Sequence, residues 1–272
     1  MISDEQCLAF EKEGYVVCRG LVPEPIVAAA SDAFKTLVDR AAAGDFGGKF
    51  RWLYEEERVP QLDDDLLTPE KYCPEFGEVF DYLLPAIECI LGSPVRASWL
   101  LLLTGGGGVP YGVPLHRDDN MVGGDDEEES IVRFRMKQSY FQTPLLPNDN
   151  FLQVVPGSHL RRATEEERAA AFSAEANPDV TDLVTIELQP GDVVFRHTDL
   201  LYQGWNPDGR PRWTMVSALW AQDVPMLSRE TKYAQALSEG NHSHQFPPNL
   251  RAAVGRYLEA YETYQSAQTA SN

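Results

Sequence analysis

NDNFLQVVPGSHL, Asn148 to Leu160, reads as a short strand held between two turns. The apolar run Phe151 to Val155 is opened by Asn-Asp-Asn and closed by Pro-Gly, residues that suit turns and interrupt ladders. Outward from it the same grammar recurs. Arg96 to Thr104, Ile131 to Gln142, Val184 to Leu188, Asp192 to Arg196 and Arg212 to Ala221 read as strands, most of them bounded by Gly, Pro or Asn. Ahead of this run lies a helix–strand–helix opening. Ser3 and Gln6 have the form of a capping box and Gly14 stops the first helix. YVVCRG, Tyr15 to Gly20, is a strand, and Ile26 to Ala43 is a helix with Pro25 in its first turn and Gly44 at its end. Phe76 to Leu91 is helical, broken or kinked at Pro85. Thr164 to Glu175 is a helical insertion, and Leu250 to Gln265 closes the chain as a helix. Helices leading into many short strands predict an α+β, mainly β, architecture with a sandwich or open-barrel core.

At 272 residues the chain is one large domain or two small ones, taking about 150 residues per domain. No linker or repeat divides it, so 1–272 is read as a single domain: 1–94 a helical and lid part, 95–222 the β core, 223–272 a C-terminal helical extension. The acidic stretch Phe46 to Tyr72 is either a solvated loop or the lid itself. A formal charge of −19 repels phosphate backbones and anionic bilayers, so nucleic acid and membrane are excluded as partners and a small molecule is expected. The longest apolar run, Ala97 to Leu103, is too short to span a bilayer, and the N-terminus has no basic-then-apolar leader pattern. Four cysteines without a CxxC predict reduced thiols and a cytoplasmic protein. Oligomeric state is left open, a homodimer being one option.

The chemistry is concentrated in PLHRDDN, Pro114 to Asn120. Residues two apart on a strand share a face, so His116 and Asp118 can converge on one metal ion, as in a facial triad that leaves coordination positions open. Their bland alternative is a surface histidine beside an aspartate. Arg133, Arg135 and Lys137 alternate with apolar residues, forming either a solvated face or a positive wall that draws in an anion. Gln138 and Tyr140 continue toward a pocket. GGGG at 105–108 lacks the GK[ST] of a phosphate loop and is read as a flap. His159 is expected to satisfy backbone groups, and His242 and His244 to lie at the surface.

NDNFLQVVPGSHL, QPGDVVF (Gln189 to Phe195) and NPDGRPRW (Asn206 to Trp213) follow one another behind the opening FEKEGYVVCRGLVPEPIVAA (Phe10 to Ala29). In this order and spacing they resemble the phytanoyl-CoA dioxygenase family of Fe(II)- and 2-oxoglutarate-dependent oxygenases, over residues 4 to about 222. The resemblance implies a double-stranded β-helix, a cupin-like jelly roll with helices outside. It implies Fe(II) and 2-oxoglutarate as cofactors, His116 and Asp118 as metal ligands, and Arg212 as the anchor of the co-substrate's far carboxylate. Arg210 is close enough to share that role, and Gln138 joins the co-substrate pocket. The family's third ligand is a histidine, and eleven residues after Gly191 this chain has Tyr202. Three readings stay open: Tyr202 as a weaker ligand or catalytic residue, His197 shifting in as the ligand, or no iron at all. The function implied is oxidation of a small metabolite by a dioxygenase-like enzyme. The alternative is a metal-independent isomerase or cyclase, or a non-catalytic partner, on the same fold.

Overall fold

In a computed structural model, residues 2–46, 61–62, 65–105, 110–118, 122, 138–173, 176, 179–240 and 242–270 are described. The elements, in chain order, are α1 (Asp4–Glu13), β1 (Tyr15–Cys18), α2 (Glu24–Ala42), β2 (Gln61–Leu62), α3 (Pro74–Leu91), β3 (Val95–Arg96), β4 (Leu101–Gly105) and β5 (Tyr111–His116). There follow β6 (Gln138–Pro144), β7 (Asp149–Val154), α4 (Glu165–Ala171), β8 (Val184–Leu188), β9 (Val193–His197), β10 (Tyr202–Asn206), β11 (Arg212–Ala221), α5 (Ala234–Glu239) and α6 (Pro248–Ala270).

The strands form two facing antiparallel sheets. The larger has the order β1-β9-β6-β11-β4-β2, with β3 also on β11, and the smaller β5-β10-β7-β8. β1 and β2, which precede residue 95, lie in the large sheet with the later strands. Period-two alternation assigns each strand residue a side. On β9, Val193 and Phe195 enter the core beneath the helices, while Val194 meets Leu152, Val154 and Ile186 of the small sheet. The outer core is aromatic and fully buried, with Phe80 of α3 edge-on to Phe141 of β6 at 5.2 Å between centroids. This is the double-stranded β-helix the resemblance implied.

Local expectations fare unevenly. The Ser3–Gln6 capping box forms in both directions and Gly14 caps α1 at φ +80°. Pro85 does not break α3, which runs through it. The run Arg96–Thr104 divides into β3 and β4, and the insertion helix is only Glu165–Ala171. β10 is not among the expected strands, because YQGWN carries no β-branched residue. Part of the acidic loop is buried: Leu66 and Leu67 have no exposure, and Lys71 bonds the Asp65 carboxylate at 2.8 Å. Arg133, Arg135 and Lys137, most of the glycine run, and most of 47–64 and 119–137 lie outside the described residues.

Gly14 ties α1 to the back of the site. Its carbonyl accepts from His197 N at 2.7 Å, and an added Cβ would meet His159 Nδ1 at 2.5 Å and Leu200 Cδ1 at 2.7 Å. Positive φ and a blocked Cβ act together, so Gly14→Ala should destabilise the protein by about 1–3 kcal/mol, read as a lower denaturation midpoint at unchanged m-value.

Candidate active site

Between the sheets lies a cavity of about 260 Å³, lined from the small sheet by His116, Tyr202 and Leu152 and from the large sheet by Tyr140, Arg196 and Arg212. Register sets this up. His116 at the end of β5 faces Tyr202 at the start of β10 as its direct ladder partner, with ring centroids 4.2 Å apart. Asp118 lies two residues beyond the end of β5 and still turns into the cavity, whereas Arg117 between them turns away to the carbonyls of Ser158 and Arg161. The H-x-D pair is thus brought together as its spacing predicts.

His116 Nδ1 is 2.7 Å from the Pro114 carbonyl. A carbonyl only accepts, so Nδ1 carries the proton and Nε2 keeps its lone pair. Burial holds this imidazole's pKa below its ordinary value, against the opposing pull of Asp118, so the ring is neutral.

The Asp118 carboxylate is engaged at both oxygens. Tyr202 donates its phenol to Oδ1 at 2.7 Å, and Arg196 donates to Oδ2 at 2.6 Å. The Arg196 guanidinium lies 3.8 Å from the centroid of the Tyr202 ring and 4.5 Å from that of Tyr140. These are cation–π distances, and they fix a side chain that is itself buried. Burial is the largest influence and works against its charge, but Asp118 together with the Tyr202 and Tyr140 phenols overcomes it and raises the pKa. Burial and then the neighbouring carboxylate push the Tyr202 phenol well up, so it stays protonated.

The remaining candidates fall in different places. His197 follows Arg196 and so points to the other side of β9, where Nδ1 accepts from Asp199 N at 3.1 Å and the ring packs 5.1 Å from His159. Strand parity keeps it out of the cavity. Arg212 lines the cavity, its Nε donating to Thr214 Oγ1 at 3.0 Å and more loosely to Asp149. Among the described residues its terminal nitrogens make long contacts, to Tyr111 Oη at 3.4 Å and Gln142 Oε1 at 3.3 Å. Arg210 turns outward to Asn148 and Asn150. Gln138 is buried on β6, away from the cavity lining. His159 bonds the Glu11 carbonyl as expected, but His242 is buried on the Leu67 carbonyl, not at the surface.

Arg196 is the cavity residue that the sequence marks least. Its signal was an arginine at an inward position of VVFRH, two residues from Val194.

The donor set can be tested against the implied iron. Among the described residues no three His, Cys, Asp or Glu side chains gather as a metal group. His116 Nε2 and Asp118 remain, beside a protonated phenol and a guanidinium bound to that same carboxylate. These residues do not make up a three-ligand ferrous site, which wants neutral imidazoles and a carboxylate around a cation.

Two predictions follow from this arrangement. Asp118→Ala, which leaves a buried guanidinium unpaired, should cost about 3–5 kcal/mol in denaturant titrations, and Asp118→Asn distinctly less. Burial depresses the folded pKa of both His116 and His159 below 6.5. The unfolded chain therefore takes up protons that the folded sites refuse, and stability present above pH 6.5 should fall as pH drops below it. His116→Gln should flatten that slope.

The family profile described as phytanoyl-CoA dioxygenase (PhyH) matches residues 10–206, so it includes His116, Asp118 and Tyr202 and stops short of Arg212. Among curated proteins none matches the sequence. Of solved structures, EctD from S. alaskensis with 2-oxoglutarate and 5-hydroxyectoine is similar at TM-score 0.63 and 19% identity, over 83% of this chain and 78% of that one. The non-heme alpha-ketoglutarate-dependent carbocyclase SnoK from nogalamycin biosynthesis aligns at TM-score 0.58 and 18% identity, over 82% and 85%. The epimerase SnoN of the same biosynthesis aligns at 0.55 and 16%, over 80% and 83%. Iron and 2-oxoglutarate appear in structures of these relatives, so the expectation of that cofactor pair holds at the level of the family. The chain belongs to the phytanoyl-CoA dioxygenase family, the iron- and 2-oxoglutarate-dependent oxygenase class, and carries an arginine within that fold's cavity.

Proposed function

We propose that this family member binds a small organic carboxylate in the cavity and moves protons on it, the metal-independent isomerase or cyclase reading of the fold. The observation that carries the proposal is the Arg196–Asp118–Tyr202 cluster, which makes the site electrically complete from its own side chains. Arg212 supplies the anchor: its loosely engaged terminal nitrogens suit a bidentate carboxylate, and Asp149 keeps it charged despite burial. His116 supplies the base, with Nδ1–H fixed on Pro114 and the Nε2 lone pair free to take a proton. Arg196 sets a positive charge where negative charge develops on the substrate. Trp99, Leu101, Val113 and Phe151 give the cavity apolar walls. The four free thiols and a chain in which no described helix is long and apolar enough to cross a membrane support a cytoplasmic setting.

A second reading, a weakened oxygenase, is favoured by one observation: His116 and Asp118 face the same cavity, in a member of this family. The two readings part in a single experiment. Protein treated with a chelator is incubated in D2O with a panel of small oxo- and hydroxyacids, 2-oxoglutarate and succinate included, and deuterium incorporation is followed by NMR. Proton exchange in at least one compound, abolished by His116→Gln, is expected. No exchange, with succinate released once Fe(II), 2-oxoglutarate and oxygen are supplied, would establish the oxygenase. Arg212→Met should weaken binding of the active compound by about 10–100-fold in calorimetric titration, the loss of a charge-assisted bidentate contact.

A further inference from the structure

Asp118 is a carboxylate largely withdrawn from water, its side chain 17% exposed, and it needs a positive partner. In a metal-dependent site of this layout the ion is that partner. Here the partner is Arg196, 2% exposed and 2.6 Å from Oδ2. Three details show that it is built in. The guanidinium is stacked on both Tyr202 and Tyr140, so it cannot swing clear without breaking two ring contacts. It comes from β9 of the large sheet, opposite Tyr140 in the ladder, while Asp118 follows β5 of the small one, so the pair bridges the two layers. Tyr202, standing eleven residues after Gly191 where the family resemblance implies a histidine, holds the other oxygen of the same carboxylate. The two departures from a ligand set therefore act on one group.

We propose that Arg196 and Tyr202 are a paired replacement for the metal ion: a covalently attached cation set opposite Asp118 by a phenol that shares the carboxylate and stacks on the guanidinium. This deepens the metal-independent reading above and rests on it. Its consequence is that neither change alone reopens the site. Tyr202→His adds a third donor but leaves a positive charge at Asp118. Removing Arg196 lifts the charge but leaves two donors and a protonated phenol. Reverting both should couple strongly, as neighbours sharing one partner do.

The probe is Co(II), read by its visible absorption and by calorimetry on the full chain. The wild type, Tyr202→His alone and Arg196→Gln alone are expected to bind it at least about 100-fold more weakly than Arg196→Gln/Tyr202→His, which should take one ion per chain. Loss of that signal on adding His116→Gln would identify the site, and Arg196→Lys/Tyr202→His, which keeps the cation, should stay blind to Co(II). Glutamine retains a donor for Asp118. Should that double variant not fold unaided, refolding it and Arg196→Met/Tyr202→His with Co(II) present is expected to restore near-UV circular dichroism, the ion taking the cation's place. Wild-type binding as tight as the double variant's would overturn the proposal. So would a double variant no tighter than the single ones, or failure of both double variants to fold with Co(II). The last two results would leave metal-free deuterium exchange by the wild type standing, so the role of Arg196 and the proton-transfer reading fail separately.

Discussion

A carboxylate largely withdrawn from water must be answered by a positive charge, and at Asp118 the answer decides what the cavity is. The carboxylate hangs from the end of β5 and the guanidinium from β9, so their pairing spans the gap between the two sheets. That contact and the strand ladder together place the groups beside it. Tyr202 is oriented by the oxygen that Arg196 leaves it, and His116 is pressed against the Tyr202 ring by ladder register. An ion pair of this kind contributes little net stability compared with an apolar filling of the same volume, but breaking it is costly. It is better understood as fixing geometry than as adding strength.

The scaffold makes this arrangement available by parity alone. On β9 one step separates Arg196, which looks between the sheets, from His197, which looks toward α1. Moving His197 into the cavity would flip every neighbour on the strand, exposing Val194 to the helices and driving Phe195 between the layers. The Gly14 carbonyl, which accepts from the His197 amide, and the turn after β9 that returns Asp199 N to the His197 ring lock that register from outside.

Much of this was legible beforehand, and the limits have physical causes. Strands bounded by Gly, Pro or Asn could be read because chain reversal constrains those residue types; β10, built of Tyr, Gln, Gly, Trp and Asn, could not. The H-x-D pair was legible because two-residue spacing fixes a shared face, and the missing histidine because the family resemblance sets one eleven residues after Gly191, where Tyr202 stands. Arg196 was not. In VVFRH a charged residue beside a histidine at a strand's end looks like the point where the chain reaches solvent, and nothing local shows that a carboxylate 78 residues earlier meets it. Arg210 and Arg212 looked interchangeable two residues apart on one face, until the turn before β11 sent Arg210 out to Asn148 and Asn150.

A guanidinium clamped between two tyrosine rings cannot be chelated, cannot dissociate and does not change oxidation state. Activity resting on it would persist in iron-starved or oxygen-free surroundings where a ferrous relative falls silent. Such a pocket would also generate no stray oxidants of its own, so its aromatic lining, Trp99, Tyr111, Tyr140 and Phe151 among it, needs no protection from self-inflicted hydroxylation.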